Sequence, residues 1–161
     1  MGSKKKIANI EILRRIIGDR PFLAIPESAC SILGIVRANV LFMLLAKLQH
    51  YYLKNKLLEG NKFYFLQDEM KSKTGLSKQT QLKVIKELCE MGLVTTSFGK
   101  GSFRVKLYSF TEKNLSNIKK MLEDGDKKLL EDKKKHLANK NISAEEDVLD
   151  KINSVFNEAN E

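Results

Sequence analysis

Residues 67–94 read QDEMKSKTGLSKQTQLKVIKELCEMGLV, and their spacing predicts two helices around a tight turn. Met70 anchors the first helix. Gly75 closes it, because glycine enters the left-handed backbone region without a Cβ penalty. Ser77 stands at the N-cap position of the second helix, where its hydroxyl can take an orphan backbone N–H from SKQT. Leu82, Ile85, Leu88 and Cys89 follow at offsets of three and four residues, so they are expected to share the core face. Gln79, Thr80, Lys83 and Glu87 then fall outward, and Gly92 ends the helix in the usual way.

Working outward, VTTSF, the turn GKGS and FRVKLYSF (residues 94–110) predict a β-hairpin. Phe103, Val105 and Leu107 alternate with Arg104, Lys106 and Tyr108, which predicts that the first set packs and the second faces water. Upstream, Glu59-Gly60-Asn61 reads as a turn before a short aromatic strand, KFYFL. Residues Val36–Leu58 are apolar on most faces through Ala46, and a helix of that kind must be covered by other elements. It belongs at the centre of the core. ESACSILG is a short helix ending near Gly34, and Pro21 and Pro26 hold PFLAIP extended. Lys5–Ile17 has the apolar spacing of an amphipathic helix, stopped at Gly18-Asp19.

Downstream, Thr111 can cap a helix from Glu112 to about Leu122, with Leu115, Ile118 and Leu122 in one row. Asp124-Gly125-Asp126 is expected to break it. A charge-dense stretch follows, and Ser143 with Glu146 predicts a capping box for a last helix. That helix bears Val148, Leu149, Ile152, Val155 and Phe156, a row too apolar to stand free in water. It should dock on a partner, on the stripe of residues 7–17 or on a second copy of itself. The chain thus divides into a basic arm and helix (1–19), a central α+β, mostly helical domain (20–123) and a charged, net acidic helical tail (124–161).

The 161 residues carry a formal charge of +9. Residues 1–120 hold a net +13 and residues 121–161 a net −4. A basic body with an acidic tail points to a polyanionic partner, most often nucleic acid. The longest apolar run, Val40–Ala46, is far short of the roughly 20 residues a membrane span needs. No secretory signal opens the chain, so Cys30 and Cys89 are expected to be reduced thiols in a cytoplasmic protein. Lys6 stands where a myristoylation pattern wants Ser or Thr. With His50 and His136 as the only histidines, the cysteines have no metal-ligand spacing, and no metal or cofactor is expected. No GxSxG, Walker loop, HExxH or paired-carboxylate pattern occurs, so the chain reads as a non-enzyme.

Two helices about a turn, then a glycine-tipped hairpin, is the winged helix-turn-helix layout, and it suits duplex DNA. A helix fits the major groove, with its N-terminal residues at the base edges. Ser77, Lys78, Gln79 and Thr80 occupy that end. Gln79 can bond adenine and Lys83 can donate to guanine, while Lys86 continues the basic face. Lys100, Arg104 and Lys106 of the hairpin (wing 97–106), with the Lys4–Lys6 arm, would contact the flanking backbone.

KTGLSKQTQLKVIKELCEMGLV followed by FGKGSFRVKLYSF resembles the winged-helix domain of replication initiators, replisome organisers and small regulators of bacterial phages, plasmids and related mobile elements. The likeness covers about residues 20–111. It places Ser77, Gln79, Thr80 and Lys83 at recognition-helix positions (helix 77–91), and Lys100 and Arg104 on the wing. It departs from many relatives in having Gly101-Ser102 where they carry a wing proline. The larger C-terminal domain of some initiators is replaced by about forty charged residues. The resemblance implies a dimeric, double-stranded DNA-binding regulator or accessory replication factor. The rival reading is a winged helix used for protein–protein contact, its basic face on an acidic partner.

Overall fold

The computed structural model describes residues 23–100 and 105–158, with side chains through residue 140 and at 148–150. The helix expected over residues 5–17, the Lys4–Lys6 arm and Gly101–Arg104 lie outside the described residues. The chain is mostly helical with one small antiparallel sheet, an α+β arrangement. The order is α1 (Glu27–Leu33), α2 (Ile35–Leu53), β1 (Phe63–Tyr64), α3 (Gln67–Thr74), α4 (Lys78–Glu90), β2 (Thr95–Phe98), β3 (Lys106–Ser109) and α5 (Glu112–Glu158).

Helix α2 is the centre of the core, as its apolar sequence demands. Ala38, Val40, Leu41 and Leu44 are fully enclosed, and Phe42, Met43, Leu45 and Leu48 are partly covered. Val40, Leu41 and Leu44 each contribute about 1.5–3 kcal/mol by leaving water, and the Ala38 methyl less. The helix stops at Leu53, before the expected Leu58, where Asn55 turns into the left-handed region at φ 51°. Leu58 instead pairs with Lys62 across the turn at Gly60.

The sheet has the order β1-β3-β2. Tyr108 on the central strand faces Phe63 on one side and Thr96 on the other. This register corrects the expected alternation on β3. Tyr108 is buried while Val105 is exposed and Leu107 only half-covered. The tyrosine ring lies 5.9 Å from that of Phe63, which also stacks on Phe110 at 6.3 Å. Three aromatic rings gathered on one face outweigh the preference of Val105 for the interior.

Two expectations for the C-terminal region are overturned by α5, which runs unbroken from Glu112 to Glu158. Gly125 does not break it and Ser143 does not start a new helix. Glu123, Asp124 and Glu131 each stand four residues before a lysine, a spacing that supports continuous helix. The buried stripe of α5 is Asn114, Ile118, Met121 and Gly125; of the expected row Ile118 is buried and Leu122 packs against the core, while Leu115 is exposed. Gly125 is where α5 crosses α1. A Cβ there would overlap the backbone carbonyl of Ser28 and lie 2.8 Å from its Cβ. Lys128 seals the crossing by donating to Ser31 O at 2.7 Å.

Candidate nucleic-acid interface

The turn between α3 and α4 is built by short-range hydrogen bonds. Gly75 takes the left-handed conformation at φ 72°, and its N–H donates to Lys71 O at 2.8 Å. Thr74 Oγ1 donates back to Met70 O and accepts from Leu76 N–H, at 2.6 and 3.1 Å. Ser77 caps α4 as predicted, accepting from Thr80 N–H at 3.2 Å, and its hydroxyl lies 2.9 Å from that of Thr80. At the far end Leu93 N–H reaches Leu88 O and Gly92 N–H reaches Cys89 O, the paired bonds of a Schellman cap.

Gln81 locks the rotation of α4 about its own axis. It is fully enclosed, and its Nε2 donates to Gln67 O at 3.2 Å and Leu76 O at 3.0 Å. Among the described residues its Oε1 has no donor. This overturns one expectation: Leu82 is 46% exposed, and Gln81, Val84, Ile85 and Leu88 form the core face. Cys89 is half-buried, 3.8 Å from Thr96 Oγ1 on β2.

Two long-range ion pairs fix the helix pair to the core. Arg37 Nε donates to Glu87 at 2.6 Å, joining α2 to α4, and its Nη1 also reaches Leu33 O. The Arg37 hydrogen bond holds the Glu87 carboxyl below its usual range, and the same bond raises the guanidinium. Lys47 bonds Glu69 at 2.6 Å and joins α2 to α3, with Lys73 on the same oxygen at 3.0 Å. The Lys47 ammonium also sits over the rings of Tyr51 and Phe65, 5.5 and 5.0 Å from their centroids. Desolvation is the largest single influence on Glu69 and would raise it. The two lysines together outweigh that, so the carboxyl titrates below its ordinary value. Neither pair was visible in the sequence, because their partners stand tens of residues apart with no local spacing rule to connect them.

The face of α4 turned to solvent carries Gln79, Leu82, Lys83 and Lys86, all exposed and related by helical offsets of three, four and seven. Lys78 stands at the helix start. Most of the predicted positions on α4 are thus brought together, while Ser77 and Thr80 spend their hydroxyls on each other and on the cap. Two of the lysines have acidic neighbours, Lys78 with Asp68 at 3.3 Å and Lys86 with Glu90 at 3.9 Å. Both pairs are solvated and add little to stability.

On the hairpin Lys100 is exposed and Lys106 half-buried, and Gly99 N–H closes the loop onto Val105 O at 3.0 Å. Asn114 anchors the far end of the sheet to α5. Its Oδ1 accepts from Thr111 N–H and Thr95 Oγ1, and its Nδ2 donates to Gly92 O, at 3.0, 2.8 and 2.8 Å. Asn114 N–H returns a bond to Thr111 Oγ1 at 3.2 Å, which makes the predicted cap reciprocal. Burial pushes the Tyr108 phenol, behind this sheet, up to about 12.

Among the described residues no helix is long and apolar enough to cross a membrane, and no three His, Cys, Asp or Glu side chains converge as a metal site would require. Compared with protein-family models, with curated proteins and with solved structures, the chain matches none.

Proposed function

We propose that this chain is a winged-helix protein that binds double-stranded DNA in the cytoplasm, without catalysis or cofactor. Helix α4 is the recognition helix in the major groove, and the β2–β3 hairpin is the wing on the flanking backbone. The observation that carries the reading is the exposed face of α4, where Gln79, Lys83 and Lys86 stand on a helix held rigidly by Ser77, Gln81 and Gly92. Side chains pre-placed on a rigid helix are what base readout requires. The net +13 of residues 1–120 supplies the phosphate attraction. The role that fits best is a transcriptional regulator or an accessory replication factor of a mobile genetic element. A homodimer assembled through the C-terminal part of α5 would match an inverted-repeat site.

Fluorescence anisotropy on duplex DNA between about 50 and 200 mM salt tests this. Wild-type affinity should fall steeply with salt. Lys83→Ala should cost about 1–3 kcal/mol and relax sequence preference. Lys100→Ala should weaken all sequences alike and reduce the salt slope by about one. Unchanged affinity in a Lys83→Ala/Lys100→Ala double variant would sink the proposal. A second reading is contact with an acidic protein through the same exposed lysines of α4. Absence of any salt-sensitive retention on DNA would select it.

A further inference from the structure

We propose that Leu82 is a specificity-determining residue that packs against the 5-methyl group of a thymine in the major groove; this deepens the DNA-binding reading and rests on it. The scaffold dictates the exposure of Leu82. Neighbouring residues on a helix point about 100° apart, so α4 would have to turn through an angle of that order to bury Leu82, and the turn would release Gln81. The two hydrogen bonds from Gln81 Nε2 to Gln67 O and Leu76 O prevent that rotation. An apolar side chain is therefore held outside while a polar one is held inside, the reverse of the usual partition.

What surrounds Leu82 identifies its partner. Gln79 lies one turn before it, Lys86 one turn after, and Lys78 and Lys83 flank it, all exposed. A protein surface without carboxylates that covered the leucine would have to desolvate three ammonium groups together, and Asp68 and Glu90 already pair with only two of them. Duplex DNA offers each of them a phosphate or a base acceptor. It offers the leucine the methyl group that, among the four bases, thymine alone presents in the major groove. Leu82 would thereby add an apolar readout of thymine to the polar readout by Gln79 and Lys83.

The full-length chain is first used to enrich its preferred duplex from a random pool. Each thymine of that duplex is then replaced in turn by deoxyuridine, which keeps the pairing and removes only the methyl group. Wild type should lose about fourfold in affinity at one position. Leu82→Ala should bind the thymine duplex with a similar loss and no longer distinguish the two duplexes there. Its thermal unfolding should be unchanged, since the side chain is exposed and alanine favours helix. A Leu82→Ala variant that keeps the wild-type discrimination, or a wild-type chain that binds the duplex yet ignores every substitution, overturns this inference alone. A chain that enriches no duplex overturns the DNA-binding reading itself and this inference with it.

Discussion

Gly125 shows how much a single side chain can decide. Inside an ordinary helix a Gly→Ala exchange stabilises by about 1 kcal/mol, because alanine loses less backbone freedom. Here the added Cβ meets the carbonyl and Cβ of Ser28, which are backbone and near-backbone atoms with nowhere to move. Gly125→Ala should therefore destabilise the chain by about 1–3 kcal/mol, as overpacking does, and urea unfolding followed by circular dichroism would read it. A neutral or stabilising result would mean that α1 is not seated on α5. In the sequence Asp124-Gly125-Asp126 looks like a helix breaker, because composition carries no sign of a crossing helix. Gln81 is illegible for a related reason. Spacing at three and four residues places one face of α4 inward, and hydropathy then selects Leu82. Two hydrogen bonds to carbonyls outside the helix, one on α3 and one in the turn, rotate the choice by one residue. By contrast Gly75, Ser77, Gly92 and Thr111 were all legible, since caps obey rules that span only a few residues.

At the scale of elements, α3 and α4 are placed by charge as well as by packing. Glu69 and Glu87 tie them to α2 through Lys47 and Arg37, and both carboxyls titrate below their ordinary value. A carboxyl whose folded value is depressed adds stability above its unfolded value, near 4.3, and loses it as pH falls through the folded value. Urea midpoints should therefore hold between about pH 7 and 5 and fall below about pH 4. A Glu69→Gln/Glu87→Gln variant should start less stable at neutral pH and show a shallower acid limb. Parallel acid limbs in the two proteins would count against these pairs as the pH-sensitive ties. The existence and order of the elements could be read from residues 27–110, because their periodicities are strong and their turns carry glycine. The phase of β3 could not. Its inward residue depends on the register with β1, which lies more than forty residues earlier, and on the aromatic rings already collected there.

For the whole molecule the decisive element is the far half of α5. The helix has 47 residues, about 70 Å at 1.5 Å per residue, and the side chains that face the start of α1 reach only as far as Lys133. Every side chain from 131 to 140 is exposed, and beyond them Val148 and Leu149 are 55% and 59% exposed. Lysine- and glutamate-rich helix tolerates water, but isolated helices are marginal without tertiary packing, and the sequence continues with Ile152, Val155 and Phe156. A second copy of the same helix is the simplest cover, because two-fold pairing buries one self-complementary stripe on both chains. The intact chain should then run as a dimer in light scattering at micromolar concentration. Val148→Glu/Leu149→Glu should convert it to a monomer while leaving the unfolding of the core unchanged, as should a cut after Lys140. A cut at Asp124, by contrast, removes Gly125 and Lys128 and so the seat of α1, and should destabilise the core. A monomeric wild-type chain, or a double variant that remains dimeric, would reject this role for the helix. If the dimer forms, its loss should also weaken binding to an inverted repeat far more than to a half-site, because only the dimer engages both halves at once.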